Sequence, residues 1–225
     1  MIIRCVNLSK EYNKKIIVDK LNFEVEKGEI FALLGANGAG KTSTIKMLLG
    51  LTRPTSGEAS IDSNIRVGFS PESPYFPPFL SGREVLEYYA GITGIQRSDR
   101  KKIILQLLEK VGLENDRLQT KKYSKGMLQR LSLAQALIGD PDLLILDEPT
   151  SGLDALGRVE MLNLIGDLRI KGITVLLNSH VLTDIERVCD RGIILKKGQL
   201  INSWEKDMSS PGETLEDFFI RSVKV

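Results

Sequence analysis

Cysteine, histidine and tryptophan are nearly missing from this chain, with two, one and one in 225 residues, so chemistry that relies on clusters of these residues has little to work with. Cys5 and Cys189 lie far apart and in no metal-ligand or redox spacing. That excludes a disulfide framework and a thiolate zinc site, and both are expected to be reduced core residues of a cytosolic protein. Long apolar runs are missing too. Met1-Ile2-Ile3-Arg4-Cys5 opens without one, and no window approaches the roughly 18 apolar residues of a spanning helix, so any work at a membrane requires a partner. An excess of charge is also lacking: 31 Lys and Arg against 29 Asp and Glu leave +2, and the basic residues are dispersed instead of forming a stripe. This argues against a dedicated nucleic-acid binder. Neither an internal repeat nor a low-complexity tract is present.

What is there is the composition of an ordinary soluble globular protein, long enough for one large core or two modest lobes without staples. Residues 2–6, 16–25 and 29–34 are rich in β-formers and broken by Asn13-Lys14-Lys15 and Lys27-Gly28, which predicts strands joined by turns. From Lys41 to Leu49 the pattern is helical, with Gly50 as a stop, and residues 57–62 and 65–70 read as two further short strands. At Pro71 the composition changes. Pro71, Pro74, Pro77 and Pro78 punctuate a loop, and helical patterns dominate to Gly139, an inserted helical lobe. Residues 143–146 and 173–177 are apolar runs suited to parallel strands buried on both faces, with a crossover helix from Ala155 to Arg169 between them. A hairpin around Lys196-Lys197-Gly198 and a helix from Thr214 to Ile220 complete the pattern. The fold class is α/β with a parallel sheet core.

The strongest motif is Gly35-Ala36-Asn37-Gly38-Ala39-Gly40-Lys41-Thr42, which fits G-x-x-x-x-G-K-[ST] between a predicted strand and a predicted helix. Its glycines let backbone N–H groups point inward as an anion nest, and the new helix adds the positive end of its dipole. The phosphate-gripping loop therefore runs from Gly35 to Ser43, Lys41 reaching the β and γ phosphates and the Thr42 hydroxyl binding Mg²⁺. Further on, Leu143-Leu144-Ile145-Leu146-Asp147-Glu148-Pro149 ends an apolar strand in two acids. Asp147 stands at the strand's C-terminal edge, where an α/β sheet binds ligands, and can hold Mg²⁺ through water. Glu148 points elsewhere and can polarise an attacking water as general base. His180, the lone histidine, follows the strand at 173–177 and can reach the γ-phosphate and that water.

In this order the residues resemble the ABC ATPases, the nucleotide-binding subunits of ABC transporters, over essentially the whole chain. Tyr123-Ser124-Lys125-Gly126-Met127-Leu128-Gln129-Arg130 is similar to the family signature L-S-G-G-Q-x-Q-R, with Ser124 and Gly126 matching. The resemblance implies that this segment touches the γ-phosphate of ATP held by the opposite subunit. Ser151-Gly152-Leu153-Asp154 looks like the D-loop, so Asp154 is expected in contacts across the dimer, and Tyr12 stands where the family has an aromatic residue stacking on adenine. Lys125 and Met127 depart from the signature, and Glu72 stands in place of the Q-loop glutamine. Its carboxylate can bind Mg²⁺ or accept from water but cannot donate as an amide does.

The resemblance implies a P-loop NTPase with a RecA-like parallel sheet core, N-terminal antiparallel strands and an inserted helical lobe, all in one ABC ATPase domain. Residues 1–70 and 140–225 form the nucleotide-binding core and 71–139 the helical signature lobe. ATP and Mg²⁺ are the expected cofactors. The partners are a second ATPase subunit, identical or paralogous, and an integral membrane permease, which places the chain peripherally on the inner face of the cell membrane; no nucleic acid is expected. The Tyr-Ser-Lys-Gly-Met signature, the Pro71-Glu72 pair and Leu215-Glu216-Asp217-Phe218-Phe219 are similar to bacterial ABC-2 type exporters. The rival from another class is a soluble ABC ATPase of DNA repair, chromosome organisation or translation, whose long coiled coils, zinc modules or fused cassettes find no room in 225 residues. A GTPase is the weaker rival, for no N-K-x-D motif follows the acidic strand.

Overall fold

The structure, a computed structural model, describes residues 1–113, 117–206 and 213–224. In chain order its elements are β1 (Ile3–Tyr12), β2 (Lys15–Val25), β3 (Ile30–Leu34), α1 (Lys41–Leu48), β4 (Ser56–Ile61), β5 (Val67–Ser70), α2 (Gly82–Ile92) and α3 (Arg97–Lys110). There follow α4 (Lys125–Leu137), β6 (Leu143–Asp147), α5 (Ala155–Ile170), β7 (Thr174–Asn178), α6 (Leu182–Val188), β8 (Arg191–Lys196), β9 (Gln199–Glu205) and α7 (Leu215–Lys224). Two compact units are formed, one from residues 1–64 with 174–225 and the other from 65–173.

In the first unit β2, β1 and β4 pair as an antiparallel sheet in that order. β1 continues to Tyr12, well past the strand expected to end at Val6. Register shifts after Cys5 and Leu8 interrupt its alternation, and the backbone N–H of Asn7, at φ +47°, donates to Asn22 Oδ1 (2.8 Å), so the strand survives through bulges that disguise its period. The second sheet of this unit runs β7-β3-β8-β9, parallel between β7, β3 and β8 and antiparallel at the β8–β9 hairpin. All five residues of β3 and all five of β7 are buried, which is why both read as apolar runs instead of alternating patterns. Arg191 clamps the base of β8 to the turn before β3 through two 2.8 Å bonds to Glu29, and that fork raises the guanidinium above its ordinary value. Cys5 and Cys189 are free and buried, as expected of core thiols; burial pushes Cys5 up to about 12.

In the second unit β5 and β6 pair in parallel, with Ser70 opposite Leu146. Helices α2, α3, α4 and α5 belong to the same unit, and α2 starts on a full capping box, Ser81 Oγ accepting from the Glu84 amide and Glu84 Oε2 accepting from the Ser81 amide. No helix among the described residues is long and apolar enough to cross a membrane.

Candidate functional site

In the first unit β3 delivers the chain to Gly35 and α1 takes it away from Lys41. Gly35 has φ +149°, and a Cβ there would strike the Leu195 carbonyl and lie 2.9 Å from the Ala39 Cβ. Gly40 has φ +103°, and its Cβ would come within 2.7 Å of the Ile17 carbonyl and 3.2 Å of Val18. Both ends of the loop are thus wedged against neighbouring strands where only glycine fits. The hairpin turn after β8 braces it further, the Gly198 amide donating to the Ala39 carbonyl at 3.1 Å. The sequence marked that hairpin but gave it no part in the site; Gly198, in the turn against the loop, was the only available signal.

Between the wedges Ala36, Asn37 and Gly38 are exposed, and α1 begins at Gly40 without a side-chain cap and without an acid in its first turn. An uncapped N-terminus with its dipole undiminished is an anion site. Lys41 is buried, its Nζ donating to the carbonyls of Gly35 (2.5 Å) and Ala36 (3.2 Å), so its charge is held over the loop. Thr42 is exposed and Ser43 half-buried on the same first turn. Asn178 of β7 lies level with Leu33 of β3, which brings exposed His180 to the sheet edge from which the loop springs. Tyr12 is exposed at the end of β1, its hydroxyl 3.3 Å from Thr52 Oγ1 and the Lys10 ammonium 4.7 Å from its ring centre.

The second unit holds the acids. Asp147 ends β6 and is buried, and Glu148 follows it, also buried, at φ +52°. A non-glycine residue in that region costs on the order of 1–3 kcal/mol and persists where surrounding contacts over-determine it. Glu148 then starts a turn in which the Ser151 amide donates to its carbonyl at 3.0 Å. Ser124 caps α4, its Oγ accepting from the Met127 amide at 3.2 Å, and Asp154 caps α5 by accepting from the Gly157 amide at 2.8 Å. Lys125 Nζ donates to Ser151 Oγ at 2.8 Å, tying the signature-like segment to the D-loop-like turn. Gly126 sits beside that turn, a Cβ there coming 3.0 Å from Leu153. Glu72 is exposed on the loop after β5. Among the described residues no group of three or more His, Cys, Asp or Glu is gathered to hold a metal. Gln129 is buried against the Glu148 turn, a placement the sequence does not announce, since a helix pattern alone does not tell a buried amide from a solvated one.

A strand, a glycine-wedged loop and an uncapped helix carrying a lysine in its first turn define a P-loop nucleotide-binding domain of α/β class. The comparisons narrow it. Residues 18–151, more than half the chain, match the ABC transporter family, and the chain belongs to that family. It is 45% identical over 207 residues to an uncharacterized ABC transporter ATP-binding protein of Nostoc sp., covering 87% of this chain and 62% of that protein, so it spans about three fifths of that relative's length. It is 43% identical over 212 residues to the bacitracin transport ATP-binding protein BcrA of Bacillus licheniformis, covering 89% of this chain and 68% of that one. A solved ATP-binding subunit of an ABC transporter superposes with a TM-score of 0.89 at 28% identity, covering 99% of this chain and 100% of that one. The dimeric structure of a bacterial ABC transporter cassette gives 0.83 at 25% identity, over 91% of this chain and 98% of that one.

Proposed function

We propose that the chain binds and hydrolyses ATP as one of two cassettes of a membrane exporter, two copies or one copy and a paralogue closing on two ATP molecules. The observation that carries this reading is the uncapped start of α1 framed by Gly35 and Gly40, a cradle of backbone donors fitted to phosphates. On binding, Lys41 exchanges its bonds to the Gly35 and Ala36 carbonyls for the β and γ phosphates. Asn37, Gly38, Ala39, Gly40, Thr42 and Ser43 line the same loop and helix start, and Tyr12 offers a ring for the adenine.

Thr42, Asp147 and Glu72 are the residues that would hold Mg²⁺, an ion that keeps waters and substrate oxygens among its ligands. Such an ion supplies neutralisation of charge on the phosphates. Glu148 takes the proton of the attacking water, and His180 stabilises the γ-phosphate side of that reaction. Ser124, Gly126 and Asp154 face the nucleotide of the opposite subunit, so neither copy hydrolyses alone. ATP then acts as an interface ligand that favours the closed dimer, and hydrolysis releases it.

The expected surface for a permease is on the helical lobe at 71–139. A cavity of about 970 Å³ opens in the second unit beside Tyr75, Tyr89, Ile95 and Leu107, and Tyr75 on its lining is exposed, as are Phe79 and Tyr88 elsewhere in the same lobe. Apolar exposure of that kind marks a protein-binding surface. Docking there places the chain on the inner face of the cell membrane. Export is supported by the likeness to BcrA. The test is Glu148→Gln, which keeps shape and removes the base. ATP turnover should fall by at least about 100-fold while ATP binding and ATP-driven dimerisation persist. A Gln variant that turns over ATP at the wild-type rate removes Glu148 from the role.

A further inference from the structure

Helix α4 and the turn carrying Glu148 are fastened to each other within one chain. Gln129, one turn into α4, is 1% exposed, and its Nε2 donates to the Glu148 carbonyl at 3.4 Å. The other end of the same amide, Oε1, is buried without a hydrogen-bond partner. An apolar side chain of equal volume would avoid that orphan acceptor, so packing alone gives no reason for an amide here. What the amide does provide is a donor aimed at the carbonyl of Glu148, a buried acidic residue that sits in the left-handed region at φ +52°. The same oxygen also accepts from the Ser151 amide at 3.0 Å, so two donors hold one strained peptide. A second fastener lies a turn earlier on α4. The stem of Lys125 covers Gly152, where a Cβ would strike it, and its ammonium reaches Ser151 Oγ at 2.8 Å.

We infer that Gln129 is a positioning residue for hydrolysis: it holds the backbone of Glu148 so that the carboxylate faces the attacking water, and it carries displacements of α4 to that carboxylate. The N-terminus of α4 is the part that meets the partner's nucleotide. Engagement of one ATP is thereby reported, inside the same subunit, to the base that acts on the other. This rests on the reading of Glu148 as general base and of Ser124–Gly126 as the cross-subunit contact. Small misplacement of a reacting group is enough for a large rate effect.

The test is a double-mutant cycle on the full chain. Gln129→Met keeps length and volume while removing both the donor and the orphan acceptor. It should lower kcat about tenfold, leave KM for ATP unchanged and leave Tm no lower than wild type. Added to Glu148→Gln it should lower the residual rate no further, since no base remains to be positioned. Wild-type kcat in Gln129→Met, or the same tenfold loss in both backgrounds, overturns the inference. Should the Met variant fail to fold, Gln129→Glu, which keeps the shape but exchanges the donor for an acceptor, goes through the same cycle with the same two outcomes. A wild-type chain that hydrolyses no ATP overturns the functional reading instead, and that control separates the two failures.

Discussion

Two helix N-termini in this chain carry the same dipole and are finished in opposite ways. α1 starts at Gly40 with no side-chain cap, between glycines wedged against Leu195 and Ile17, so its first-turn geometry is set by the packed strands around it. α4 starts at Ser124, whose own hydroxyl takes the Met127 amide, and it stands exposed with Lys125 in its first turn. The first terminus is rigid and built for an anion. The second has given one donor to its own cap and offers the remainder to solvent, together with a cation on a flexible stem. An anion held by α1 meets backbone donors framed by two packed glycines. One meeting α4 needs a second surface to hold it, which fits the proposal that the two termini grip one nucleotide from opposite subunits.

The contrast breaks most visibly at Gly40. Gly40→Ala places a Cβ within 2.7 Å of the Ile17 carbonyl at φ +103°, so the loop has to move. ATP affinity should fall at least about 100-fold, or about 2.7 kcal/mol, in a nucleotide titration. An affinity within about threefold of wild type would show the wedge to be unnecessary. Ser124→Ala acts on the other terminus and costs one cap. Stability should drop by about 1 kcal/mol, seen as about 2–4 °C in Tm, with ATP affinity of the isolated subunit unchanged and the ATP-driven dimer weakened. Loss of monomer ATP binding in this variant would erase the distinction between the termini.

The first terminus was legible in the sequence and the second only by likeness. Gly35, Gly40, Lys41 and Thr42 stand at a spacing that the chemistry of a phosphate cradle dictates, so residue types alone located the loop and the helix that follows it. Asp147 was legible because four apolar residues ending in an acid describe the edge of a buried strand. The left-handed backbone of Glu148 was not, for nothing in Leu-Asp-Glu-Pro announces a positive φ in a residue that is not glycine. α6 is not legible either: it has seven residues and follows Val181 with no side-chain cap, so neither period nor capping residue marks it. Ser124 and Asp154 could be read from position as caps or as interface residues; the structure places both as caps of their own helices. A cap hydroxyl still has a second lone pair, so capping does not preclude contact with a partner.

Lys125→Met gives the smallest expected effect and probes the least rigid part of the contrast. The ammonium is exposed and bonded to a neutral hydroxyl, so its removal should change Tm by no more than about 1 °C. Its charge is a different matter. An exposed cation at a helix N-terminus opposes that helix's own dipole, which is mildly unfavourable in the isolated subunit and becomes favourable once an anion arrives. The ATP-driven dimer should therefore weaken about threefold at low salt and by less at high salt, because the lost attraction is one that mobile ions already screen. Sedimentation across a salt series checks this. If wild type and variant lose dimer in parallel as salt rises, Lys125 contributes through its stem on Gly152 and not through its charge.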